Sequence, residues 1–411
     1  MTRTIAAAAV LLAASWARAG VGDLRPVAVE HGQALQQRPL SCYGRQFAQR
    51  AEGDGTVNPH ATVGTMRGGK LTVRVAIDSM APDATAPDAI RLDFSGEGTF
   101  GGKPVVPLKG KKTGQSYNAR VGPVTLQVSV GDRNVPVRVT GQYNKSGSYR
   151  NLNLLLGTAV EGSCRFGKKT YRVRIVDGDS NLVLGDPVKR TRQLLRTVGV
   201  ETGDTLVIDG GNGTFGAGTQ RVLYGSPVRV DGTWYAVTIS GDGAKVAAKP
   251  LAIETAMVRV PHAKWAAMFL GKEHCLYVQG GPEPIALPAD QYIICNYHET
   301  EKAASRSPAM LTCSGRRELQ SGKAKSFDAP AGRTTEVALG APLAAGLKIT
   351  RRKTTLGQTQ VRIDLALLDA GGRAVDYVHT PNNRNGRPDP PTVEVFDAGG
   401  RRVYTCKLEY G

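Results

Sequence analysis

The sequence predicts an all-β protein, built as tandem antiparallel β-sandwich modules with very few helices. Three observations lead there. Apolar residues alternate with polar or basic ones in LTVRVAID (71–78), VTLQVSV (124–130), VPVRVTGQY (135–143) and YRVRIVD (171–177), the pattern of antiparallel strands with one wet face. Glycine is abundant, 50 of 411 residues, without the three-residue period of collagen, so the chain turns often and tightly. Helical periodicity is nearly absent. The one convincing helix starts at Asp186-Pro187, with Asp as N-cap and Pro in the first turn, and spans residues 187–197 before Gly199.

Residues 1–19 read as a secretory signal. Arg3 supplies the basic region, Ile5 to Ala14 the apolar run, and Ala17-Arg18-Ala19 the small-x-small motif before a cut at Gly20. That run is about half the ~20 residues a membrane-spanning helix needs. No later segment reaches that length without charges, Gly or Pro, so the expectation is an exported chain with no transmembrane segment after cleavage, in the periplasm, outside the cell or at the envelope surface. Losing Arg3 and Arg18, and no acid, takes the net charge from +18 to +16.

The rest of the chain divides into four expected regions: an irregular lead-in over 20–70, a long β region over 71–260, a small β module over 261–302 and an immunoglobulin-like sandwich over 303–411. AASRSP (303–308) is the linker before the last of these. Hairpins are expected about Gly131–Asn134 and at Asp231-Gly232, whose residues suit positive φ. From Thr334 onward, strand-like runs arrive at the roughly 8–12 residue spacing of sandwiches. An apolar share of 41% against 21% charged residues excludes a disordered chain.

Six cysteines, Cys42, Cys164, Cys275, Cys295, Cys313 and Cys406, would meet an oxidising compartment after export, and three disulfides are the default there. Cys275 and Cys295 form the expected local pair. Each sits in an apolar stretch, HCLYV and YIICNY, and QGGPEP between them would fold one strand back on the other. Closing that loop would remove roughly 3 kcal/mol of unfolded-state entropy. His274 and His298 beside these cysteines have zinc-like numbers, but neighbours on one strand point to opposite faces and an oxidised pair would abolish the site.

Three acidic, glycine-containing turns are the candidate metal sites. Asp93, Ser95 and Glu97 put oxygen side chains at alternate positions, as the first half of a calcium loop does. Asp177, Asp179 and Asn181 repeat the alternation, and Asp209-Gly-Gly-Asn212-Gly-Thr-Phe215 keeps part of it. Calcium is the one candidate cofactor. None of the turns carries the closing bidentate acid, and Asp or Asn before Gly also simply turns a chain, so weak calcium dependence at most is expected.

Catalytic motifs are missing. There is no Gly-x-Ser-x-Gly elbow, and no second histidine completes a zinc-protease pair after His298-Glu299. Paired carboxylates for glycoside cleavage leave no sequence spacing to find, so a secreted hydrolase with a carboxylate site in 71–260 is the alternative. The basic excess points elsewhere. Lys109, Lys111 and Lys112, Lys168 and Lys169, Arg351 to Lys353, and the helix bearing Lys189, Arg190, Arg192 and Arg196 are clustered enough to attract polyanions by counterion release. They are not interleaved with the aromatics of single-strand binders, so nucleic acid is not the expected partner. An anionic envelope polymer or lipid surface is.

LPADQY (287–292) resembles the LPAGxY turn and strand of carboxypeptidase-regulatory-like, prealbumin-type β modules, with Ala-Asp where that pattern has Ala-Gly. The chain end, PTVEVFDAGGRRVYTCKLEYG, is similar to the final hairpin of exported bacterial β proteins with immunoglobulin-like modules. The resemblance implies fold and compartment and brings no activity with it. The expected function is therefore an exported, envelope-associated binding or structural protein.

Overall fold

The computed structural model describes residues 21–30, 39–43, 46–49, 61–68, 71–79, 87–187 except 98 and 131, 203–301 except 217 and 242, 309–313, 326–353, 359–379 except 376, and 389–407. All regular structure in them is β, and no α-helix occurs among the described residues. The chain forms two compact units, which divide near residue 252. The expected signal segment and, from residue 188 onward, the expected helix at 187–197 lie outside the described residues.

In the first unit sixteen strands join one hydrogen-bonded network. They are β1 (Gly22–Ala28), β2 (Leu40–Tyr43), β3 (Phe47–Gln49), β4 (Thr62–Gly68), β5 (Leu71–Asp78), β6 (Ala89–Asp93), β7 (Val105–Thr113), β8 (Ser116–Val130), β9 (Arg133–Ser146), β10 (Tyr149–Phe166), β11 (Lys169–Val176), β12 (Thr205–Ile208), β13 (Gln220–Leu223), β14 (Val228–Val230), β15 (Thr233–Ile239) and β16 (Lys245–Leu251). From β3 to β10 the strands follow one another as an antiparallel meander. Period-two patterning builds it. Val73 and Val75, Leu108, Val137 and Val139, and Leu152 and Leu154 turn one way into a shared core, while the residues between them face water.

β10 is the hinge of the topology. Its first half pairs with β9 and β2 and its second half with β1 and β11. Leu156 to Glu161 are buried in succession, as in a strand covered on both sides. A Cβ at Gly157 would collide with the carbonyl of Val29, just past β1, and one at Gly162 with that of Asp23 on β1, so these positions hold glycine because another backbone approaches there. The hairpin turn at Asp231-Gly232 takes positive φ at both residues, 46° and 83°, the backbone that a two-residue connection between twisted strands needs.

The lead-in is not irregular where it is described. β1 bridges β10 and β16, β2 pairs with β10, and β3 and β4 close the end of the meander. β1 and β2 are short and their β10 partners lie more than a hundred residues away, so they leave little local pattern for sequence periodicity to find.

The second unit contains a three-stranded sheet of β17 (Thr255–Arg259), β20 (Ile285–Pro288) and β24 (Thr334–Glu336). Its larger, six-stranded sheet comprises β18 (Trp265–Leu270), β19 (Cys275–Gly280), β21 (Asp290–Glu301), β22 (Ala309–Cys313), β23 (Ser326–Ala329) and β27 (Tyr377–His379). Two further hairpins are β25 (Ala344–Lys353) with β26 (Thr359–Leu368), and β28 (Thr392–Phe396) with β29 (Arg402–Lys407). Strand pairing thus crosses the expected boundary at 302/303: β21 pairs with β22, and β17 with β24. Residues 261–302 are not a module of their own.

The expected Cys275–Cys295 disulfide is corrected here. β18 runs between β19 and β21 and pairs with both, so the two cysteine strands stand about 10 Å apart at ~4.8 Å per strand, beyond the reach of a disulfide. Neither cysteine is oxidised onto the other. The intervening strand, WAAMFL, is buried at every position and has no alternation to reveal it.

Candidate functional site

Of the three acidic turns, the one after β11 gathers carboxylates. β11 and β12 are antiparallel, with Val176 opposite Thr205. One step further along the same register, Asp177 faces Asp204. Both are 0% exposed. Asp179 joins them, and one carboxylate oxygen from each of the three lies within 4.8 Å of the others.

The loop from Asp177 to Asp186 is wound around these acids. Asp177 accepts hydrogen bonds from the backbone N–H groups of Asp179 (3.2 Å), Asn181 (3.3 Å) and Leu182 (2.8 Å). Asp204 accepts from the N–H groups of Gly178 (3.2 Å), Gly185 (2.6 Å) and Asp186 (3.0 Å). Asn181 donates its side-chain amide to Asp179 (3.0 Å) and Asp186 (2.8 Å). Ser180 and Leu182 take positive φ, 59° and 61°, a conformation non-glycine residues rarely adopt. No Lys, Arg or His among the described residues forms an ion pair with the trio.

Burial of negative charge without a counterion has the expected electrostatic result. Burial, then the charge of Asp204, pushes the Asp177 carboxyl well above its ordinary range. Asp204 is pushed up to about 8, chiefly by burial, with its backbone donors pulling the other way. Asp179 is raised as well, again first by burial. Asp204 is the residue that sequence reading missed. Its only local signal is its place directly before the apolar run TLVI.

The turn at Asp93 is satisfied differently. Lys103 Nζ lies 3.5 Å from Asp93 and 3.2 Å from Glu97, and donates to Ser95 Oγ at 2.9 Å. A lysine ammonium thus sits among the three expected metal ligands, its own pKa raised first by the bond to Glu97. At the third turn, Asp209 accepts from the N–H groups of Arg172 (3.1 Å) and Gly213 (2.6 Å). The guanidinium groups of Arg172 and Arg174 stack 5.2 and 4.2 Å from the Phe215 centroid and bond to Glu161.

A second constellation lies on the exposed face of β7, β8 and β9. These strands carry seven Lys or Arg residues and no Asp or Glu. Their register sets Lys109 opposite Arg120 and Arg120 opposite Gln142, and in the next row Lys111 opposite Asn118 and Asn118 opposite Asn144. Directly opposed side chains share a face. The other face belongs to Leu108, Ala119, Val121 and Tyr143 in the core. The polar residues line an open groove of about 560 Å³. Lys109 and Lys111 were visible in the sequence as a basic cluster, whereas Arg120, Gln142 and Asn144 join them only through strand pairing. Lys189, Arg190, Arg192 and Arg196 lie outside the described residues.

No family model, curated protein or solved structure matches the chain.

Proposed function

We propose that this is an exported, envelope-associated protein that binds anionic polymer through the exposed face of β7 to β9. One observation carries the reading: cationic side chains are aligned across strands with no acid on those strands to balance them. Like charges set directly opposite, as Lys109 and Arg120 are, repel each other, and a bound polyanion relieves that repulsion while releasing its own counterions. The +16 formal charge left after cleavage of residues 1–19 adds a long-range attraction of the same sign.

The competing hydrolase reading draws support from the Asp177, Asp179 and Asp204 trio, whose closeness and raised pKa values suit acid–base chemistry. Against it, the two most perturbed acids are fully buried and their oxygens are engaged by backbone N–H groups. We read the trio as structural, neutralised by protons or by a hard cation such as calcium.

The test is retention of the full chain on dextran sulfate against neutral dextran. Retention should be strong at low salt and fall steeply as ionic strength passes ~0.1 M, where the Debye length is about 10 Å. The variant with Lys109→Gln, Lys111→Gln and Arg120→Gln should elute at lower salt. A wild-type protein that ignores the anionic matrix even at low salt would overturn the proposal.

A further inference from the structure

We infer that the polymer this face binds is an anionic polysaccharide, lying across the strands with its charged groups over Lys109, Lys111 and Arg120 and its hydroxyls over a field of side-chain amides. The inference rests on the polymer-binding reading above and specifies its ligand. The two rows already described do not stop at β9. Gln142 is opposite Asn153, and Asn153 is opposite Ser41. Likewise Asn144 is opposite Asn151, and Asn151 is opposite Tyr43. Each row therefore crosses five strands, β7, β8, β9, β10 and β2, or about 19 Å at ~4.8 Å per strand.

Along each row the chemistry changes in one direction. Two cations lead the first row and one the second, amides occupy the middle of both, and the far edge carries hydroxyls and rings. Tyr43, at the end of the second row, is 45% exposed, and Tyr149, two residues before Asn151 on β10, is 52% exposed. Amides offer a donor and an acceptor side by side, which matches vicinal sugar hydroxyls better than it matches a bare phosphate chain. An exposed tyrosine ring offers a flat apolar surface with a polar tip, suited to the C–H face of a sugar. Asn118 and Gln142, within the rows, are exposed, so amide donors and acceptors are open to a ligand there. A ligand recognised by charge alone would have no use for this neutral half of the face.

The decisive experiment compares two probes of equal charge, an oligogalacturonate and inorganic polyphosphate, by calorimetry on the full chain at fixed low salt. The wild type should bind the oligogalacturonate at least tenfold more tightly. Changing Asn118→Ala, Gln142→Ala and Asn144→Ala together should erase that preference while leaving polyphosphate affinity within about twofold, whereas Lys109→Gln, Lys111→Gln and Arg120→Gln should weaken both ligands. Circular dichroism and melting temperature confirm folding, and should the triple alanine variant unfold, the single changes Asn118→Ser and Asn144→Ser take its place. Equal wild-type affinity for the two probes, or amide variants that keep the preference, would overturn the polysaccharide assignment and leave polymer binding intact. Binding of neither probe would overturn both.

Discussion

The turn after β6 and the loop after β11 start from nearly the same sequence idea, alternating oxygen side chains behind an aspartate that ends a strand, and reach opposite electrostatic solutions. At Asp93 a cation arrives from within the chain, because Lys103 lies close enough along the sequence to fold its ammonium among Asp93, Ser95 and Glu97. At Asp177 a further acid arrives, because pairing of β11 with β12 delivers Asp204 to the opposite position. One turn is closed by a side chain of the protein. The other is held by backbone N–H groups around charge that no cation among the described residues pairs with. The same motif can therefore be a finished turn or an open demand for positive charge, and the residue that decides is outside the motif.

Removing the central acid should separate the two most strongly. Asp204→Ala strands the N–H groups of Gly178, Gly185 and Asp186 and should cost about 3 kcal/mol or more in urea unfolding, against about 1–2 kcal/mol for Asp93→Ala. Comparable losses at the two sites would erase the distinction.

The pH response is the next largest effect. With Asp204 raised to about 8 from an ordinary 3.8, the folded chain keeps a proton that the unfolded chain has released. Stability should then be fullest below about pH 4 and fall, by on the order of a few kcal/mol, as pH climbs toward 8 in chelator. Asp204→Asn should flatten this slope, and a wild-type stability that rises through the same window would contradict the burial argument.

Calcium sharpens the comparison further. At pH 8, where Asp204 is poised to lose its proton, free calcium at ~100 times its Kd would add about 2.7 kcal/mol, read as a rise in melting temperature that Asp204→Asn abolishes. No rise with millimolar calcium would mean that the loop is neutralised without calcium. The smallest effect belongs to Lys103→Gln. Its side chain is half-buried, but Gln keeps a donor for Ser95 and Glu97, so the melting temperature should fall only slightly, yet a new calcium response in this variant would show that the lysine occupies a latent site.

Much of this was legible in the chain. Strict alternation such as LTVRVAID located β5 to the residue, and Asp231-Gly232 located a turn, because both signals are local. β18 escaped because a strand buried at every position loses its period. The pairing of Cys275 with Cys295 failed with it, since the turn between them does not bring their two strands side by side.

By itself, then, the sequence determined the all-β class, the alternating faces, the basic excess and the aspartates that end strands, all of which depend on neighbours within a few residues. Only the tertiary structure decided that Asp204 confronts Asp177 and that Lys109, Arg120, Gln142 and Asn153 stand in one row. Strand register couples positions tens of residues apart, and a shift of a single residue in it would turn every one of those side chains to the other face.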